Sequence, residues 1–134
     1  MSDVTVLVVE DSPDLSAMLE ILLKTNGYHV VTASTGYEAV RLARRVRPHL
    51  ILSDLGLPGM DGWEVLNQIR ADPALEDVPA IAITAYSLNT LGPLVRQAGF
   101  ARVIAKPLDV VALLREVDSL VNRTPAKTPR FAFA

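Results

Sequence analysis

The chain has 134 residues, half of them hydrophobic, 21% charged and 5% aromatic, with a formal net charge of −2. Those values suit one globular α/β domain with an aliphatic core, not a disordered or fibrous chain. Without cysteine there is no disulfide framework, thiol nucleophile or cysteine-based zinc site. Lys and Arg are scattered, so a strongly basic nucleic-acid footprint is absent. No apolar run approaches the ~20 residues of a membrane span, and Met1-Ser2-Asp3 does not open a signal peptide. The expectation is a cytoplasmic protein with no membrane contact and no direct nucleic-acid contact.

Val4 to Val9 is an almost unbroken aliphatic run, the pattern of a strand buried on both faces of a parallel sheet. Pro13 then suits a first helical turn, and Leu15, Met18, Leu19, Leu22 and Leu23 recur on one helical face. Gly27 stands where a C-terminal cap belongs. His29 to Ala33 is a second strand, and Ala39, Leu42, Ala43 and Val46 mark a helix that must stop before Pro48. Leu50 to Leu52 is a third strand. The turn-rich Leu57 to Gly62 follows it, then a short helix carrying Val65, Leu66 and Ile69. After Pro79 comes a fourth strand, Ala80 to Ile83. Leu91, Leu94, Val95 and Ala98 mark a fourth helix closed by Gly99, and Pro93 places its start near Thr90, after a long loop. Arg102 to Ala105 is a fifth strand, and Val110, Leu113, Leu114, Val117 and Val121 give a fifth helix. Strands alternating with helices imply right-handed crossovers and a three-layer, mainly parallel sheet. Residues 1–122 read as one domain. Residues 123–134, with Pro125 and Pro129 and no periodicity, read as a flexible tail or the start of a linker.

The polar residues at strand ends carry the functional signal. The first strand runs into Glu10-Asp11, the third into Ser53-Asp54, the fourth ends at Thr84, and the fifth runs into Lys106-Pro107. Open α/β sheets bind ligands outside the carboxyl ends of their strands. Acid, acid, hydroxyl and amine thus converge on the one edge where a site belongs. Taken singly, each is a cap, a turn residue or a solvated side chain; their coincidence points to phosphoryl transfer onto a carboxylate. Clustered carboxylates call for a hard cation such as Mg²⁺. A carboxylate can be the nucleophile, and a lysine can offset charge on the equatorial oxygens.

Glu10-Asp11-Ser12-Pro13, Asp54 with Leu57-Pro58-Gly59-Met60-Asp61-Gly62 behind it, Thr84-Ala85 and Lys106-Pro107 resemble the motif set of bacterial two-component response-regulator receiver domains, over roughly residues 4 to 122. The resemblance implies a flavodoxin-like doubly wound five-stranded parallel sheet of order 2-1-3-4-5, helices on both faces, as in the chemotaxis member of that family. It implies that Asp54 is the phospho-acceptor and that Asp11 ligates Mg²⁺ directly. Glu10 would support the metal largely through water, and Gly56 would offer its backbone carbonyl. Thr84 and Lys106 would bind the phosphoryl group, and the Lys106-Pro107 peptide would be cis and aim the lysine. The phosphoryl donor would be a phosphohistidine of a sensor histidine kinase or phosphotransfer protein. The protein would be a signalling switch rather than an enzyme, acting on an output protein that the sequence does not identify. Phosphorylation-dependent homodimerisation is one output to be tested.

The chain also departs from that pattern. Val103 stands where the family usually has Tyr or Phe three residues before the lysine. Gly56 leaves the acceptor's neighbourhood without a shielding side chain, and Tyr86, beside the site, is a candidate gate or partner contact. A degenerate receiver acting as a phosphorylation-independent interaction module is the rival that Val103 raises; the intact Glu10, Asp11, Asp54, Thr84 and Lys106 set argues against it. A haloacid-dehalogenase-like phosphatase would want a second acid at position 56, where this chain has glycine. A nucleotide-binding domain would want a glycine-rich loop after the first strand. His29 and His49 fall at strand starts, on the wrong edge for phosphohistidine chemistry, and Trp63 is expected to pack the start of the third helix.

Overall fold

The computed structural model describes residues 3–85 and 88–121. Five strands, β1 (Thr5–Val9), β2 (His29–Ala33), β3 (Leu50–Asp54), β4 (Ala80–Thr84) and β5 (Arg102–Ala105), form one parallel sheet in the order β2-β1-β3-β4-β5. Between and after them run α1 (Pro13–Thr25), α2 (Gly36–Val46), α3 (Gly62–Arg70), α4 (Leu88–Gln97) and α5 (Val110–Leu120), with a short 3₁₀ turn at Pro73–Leu75. Order, alternation and strand positions are those expected. Among the described residues, no helix is long and apolar enough to cross a membrane.

Strand side chains alternate between faces, and each face has its own core. Val6 and Val8, Leu50 and Leu52, and Ile81 and Ile83 pack with Leu19, Leu22 and Leu23 of α1 and Leu113, Leu114 and Val117 of α5. Leu7 and Val9, Ile51, and Ala80 and Ala82 pack with Ala39, Val40 and Ala43 of α2, Val65, Leu66 and Ile69 of α3, and Val95 of α4. β3 and β4 are buried along their whole length, which is why they read as unbroken aliphatic runs.

Helix boundaries follow local chemistry. Ser12 caps α1 with Pro13 in the first turn, and Thr35, Asp61 and Asp109 cap α2, α3 and α5. Gly27 and Gly99 take positive φ values of 92° and 104° just past α1 and α4. Ahead of Pro48, α2 closes with Arg47 in the left-handed region, at φ 55°. Trp63 sits edge-on to Phe100, ring centroids 6.1 Å apart, and packs the start of α3 as expected.

The fourth helix corrects the sequence reading. It begins at Leu88, two residues before the expected Thr90, and Pro93 lies inside it. Pro93 is solvent-exposed, so water can satisfy the carbonyl that a missing N–H leaves unpaired. Downstream, Val95 is fully buried and anchors the helix to the sheet. Tyr86 and residues 123–134 lie outside the described residues.

Candidate functional site

The register brings the strand-end polar groups together. Val9 pairs with Ser53, which sets Glu10 level with Asp54, and Asp54 pairs with Ile83, one residue before Thr84. Thr84 in turn pairs with Ala105, immediately before Lys106. By the two-residue alternation Glu10, Asp54 and Lys106 extend the rows of Val8, Leu52 and Ile104, toward α1 and α5, whereas Thr84 extends the row of Ala82, toward α4. The site therefore straddles the edge of the sheet.

Lys106 Nζ donates to Asp54 Oδ2 at 2.8 Å and lies 3.4 Å from Glu10 Oε1. Asp54 Oδ1 accepts the Gly56 N–H at 2.9 Å, and Glu10 Oε2 accepts the Ser12 N–H at 3.0 Å. Glu10, Asp54 and Thr84 are buried, and Asp11 is exposed. Burial raises the Glu10 carboxyl above its ordinary range; the Asp54 charge adds to this, against the opposing Ser12 N–H and Lys106. Burial pulls the other way on Lys106, but the hydrogen bond and charge of Asp54, with Glu10 behind them, hold its ammonium above the ordinary value. The Lys106-Pro107 peptide is cis.

One carboxylate oxygen from each of Glu10, Asp11 and Asp54 lies within 4.8 Å of the others. Glu10 Oε1 is buried with no hydrogen-bond partner, facing the Lys106 ammonium at 3.4 Å. A buried oxygen engaged by that ion pair but by no hydrogen bond, beside two further carboxylates, fits a hard, oxygen-seeking cation, and Mg²⁺ is the cation such sets hold. Gly56 approaches Asp54 through its N–H.

Behind the site the chain folds back on itself. Gly62 N–H donates to Leu55 O at 3.2 Å, and a Cβ at position 62 would meet the Asp54 carbonyl and come within 2.9 Å of Leu55 Cα. Only glycine permits this approach. A Cβ at Gly56 would meet only Asp54 Oδ1, at 3.7 Å. Val103 is half-buried and packs into the core on the α2–α4 side of the sheet. His29 is exposed at the opposite edge, where His49 Nδ1 accepts the Thr5 N–H at 3.0 Å.

Three details were not anticipated from the sequence. Ser12, quoted only as part of a motif, holds Glu10 through its N–H. Gly62, read as a turn residue, locks the loop after Asp54; a small residue opening a helix so soon after a strand-end acid is the signal that marks it. Arg70 donates to Gly99 O at 2.7 Å and Val78 O at 2.8 Å, tying α3 to the chain on either side of β4 and α4.

A parallel sheet of this order, with acids, a hydroxyl and a lysine at its carboxyl edge, defines a receiver-type signalling switch rather than a classical enzyme. The chain belongs to the response regulator receiver domain family, which residues 6–118 match. It is 34% identical over 118 residues to the polar-differentiation response regulator DivK of Brucella anthropi, covering 88% of this chain and 96% of that protein. An uncharacterized 14.6 kDa protein of Leptolyngbya boryana is 36% identical over 117 residues, covering 87% and 89%. Among solved structures, the receiver domain of a Pseudomonas aeruginosa sensor histidine kinase superposes with a TM-score of 0.81 at 35% identity, covering 90% of this chain and 99% of that one. That neighbour has a magnesium ion coordinated in its active-site cleft. Chemotaxis protein CheY4 of Vibrio cholerae gives 0.83 at 27% identity, covering 89% and 99%.

Proposed function

We propose that Asp54 is the phospho-acceptor of a two-component switch, taking its phosphoryl group from a phosphohistidine on a sensor kinase or phosphotransfer protein. The observation that carries this reading is the junction of Asp54, Lys106 and Glu10: a buried carboxylate held by a lysine on one side and a second, metal-ready acid on the other. An Asp54 oxygen forms the new O–P bond as the histidine N–P bond breaks, and the departing imidazole keeps the nitrogen lone pair. Lys106 pairs with the transferring oxygens, and the Thr84 hydroxyl donates to one of them from the other side of the sheet edge. Glu10, Asp11, Asp54 and the Gly56 carbonyl would hold Mg²⁺, which supplies charge neutralisation at the phosphoryl oxygens.

The switching unit spans residues 1–122, followed by a tail or linker, and works in the cytoplasm. Its product state acts on an output protein or a second copy of itself through surfaces that Thr84 and Lys106 adjust. Val103, in place of a larger aromatic, makes that read-out depend on a smaller side chain; Pro107, next to Lys106 in the sequence, and Tyr86, two residues after Thr84, would modulate it.

The test is incubation with Mg²⁺ and a small phosphodonor such as acetyl phosphate, followed by intact-mass measurement. The wild type gains one phosphoryl group and Asp54→Asn gains none. No gain in the wild type removes the acceptor role; a gain that survives the substitution moves it to another residue.

A further inference from the structure

Away from the sheet edge, one surface carries an unusual pairing of charge and shape. Tyr37, Arg41, Arg44 and Arg45 recur at i, i+4, i+7 and i+8 along α2, a single exposed stripe. The stripe borders an open groove of about 510 Å³ between α2 and α3, with Val40 and Met60 in its floor and Gln68 on its far wall. Tyr37 is 65% exposed.

Among the described residues, no hydrogen bond or ion pair engages the side chains of the three arginines. Nearby acids are already engaged: Glu38 accepts from Ser34 N–H, Asp61 from Glu64 N–H, and Glu64 from Gln68 Nε2. Like charges a turn apart repel, and the chain as a whole is acidic. The helix dipole accounts for Arg44 and Arg45 in the last turn of α2. It accounts for neither Arg41 in mid-helix nor a tyrosine left in water.

We infer that the α2–α3 groove is a docking site for an acidic peptide segment of a partner protein, its carboxylates on Arg41, Arg44 and Arg45 and one apolar side chain over Val40 and Met60. Guanidinium forks match carboxylates bidentately, and Tyr and Arg are the residues that carry binding energy at protein interfaces. Nucleic acid is the poorer occupant. Its affinity grows with the number of phosphates neutralised, and three cations over an apolar floor on an acidic protein supply few. This site shares no residue with the proposed phosphorylation chemistry and stands or falls separately.

The experiment selects a phage-displayed library of random short peptides on the wild-type protein, with counter-selection on the Arg41→Glu, Arg44→Glu double variant. Both side chains are exposed, and circular dichroism checks that the variant keeps its fold. The expected result is enrichment of peptides combining several Asp or Glu with an aromatic or aliphatic anchor. The enriched peptides should bind the double variant and Tyr37→Ala at least about tenfold more weakly, about 1.4 kcal/mol, and Arg115→Glu, on the other layer, as well as the wild type. No enrichment, or a neutral or basic consensus, overturns the inference. Equal weakening by Arg115→Glu reduces it to non-specific charge, and inorganic polyphosphate binding the groove more tightly than every selected peptide replaces the occupant.

Discussion

Lys106 donates to Asp54 at 2.8 Å across 52 residues of sequence, and the same ammonium faces Glu10 at 3.4 Å. One cation thus serves two buried acids, and removing it leaves both without a counter-charge.

Lys106→Ala is therefore expected to fold but to lose about 1–3 kcal/mol in metal-free buffer. This is less than the ~3–5 kcal/mol of a fully buried broken pair, because the lysine remains partly solvated. Urea unfolding measures the loss. With Mg²⁺ and acetyl phosphate the variant should still gain a phosphoryl group, while the phosphorylation-induced shift of the Thr84 amide resonance disappears. A wild-type-sized shift would remove Lys106 from the switch.

Glu10→Gln separates structural from metal-binding roles. Because burial raises the Glu10 carboxyl, the folded chain holds its proton at a pH where an unfolded glutamate has lost it. This acid's contribution therefore destabilises the fold increasingly as pH rises from the ordinary carboxylate range through the raised value. The neutral isostere should stabilise the metal-free protein at pH 7, and by less in acid. Mg²⁺ at tenfold its dissociation constant should add about 1.4 kcal/mol to the wild type and less than half of that to the variant. Thermal melts across pH, with and without Mg²⁺, read both effects.

Two glycines near Asp54 should respond oppositely. Gly62→Ala drives a methyl into the Asp54 carbonyl and is expected to cost about 3 kcal/mol or more, or to prevent folding. Gly56→Ala makes one ordinary contact, with Asp54 Oδ1 at 3.7 Å, and should stay within about 0.5 kcal/mol of wild type. If position 62 accepts alanine at no cost, the close approach described here is wrong.

Arg70→Ala removes two donors from the Gly99 and Val78 carbonyls and should cost about 2–3 kcal/mol. Arg70→Lys should recover less than half of that, since a single ammonium cannot span both carbonyls in the manner of a planar fork. Equilibrium denaturation of the three proteins decides this.

The contrast between Lys106 and Arg70 explains what the sequence made legible. Lys106 and Asp54 could be paired in advance because both end strands of a parallel sheet, whose carboxyl ends share one edge whatever the loops do. Arg70 reaches carbonyls in two connecting segments, and no periodicity records which carbonyl a long side chain will find. Tyr28 and Asp118 meet likewise, hydroxyl to carboxylate, across 90 residues. The strands were legible because β1, β3 and β4 must be aliphatic on both faces. The start of α4 was not, since a proline suits a first turn by local rules and tertiary anchoring at Val95 overrode them.

The position of Thr84 has a consequence for how a signal leaves this domain. Its side chain belongs to one helical layer, whereas Asp54, Glu10 and Lys106 belong to the other. If Asp54 accepts a phosphoryl group as proposed, that one event at the rim of the sheet would have two mechanically separate outlets. One would run through the lysine to the α1–α5 side, and the other through the threonine toward α4. A partner on either side would then sense the same event without competing with a partner on the other.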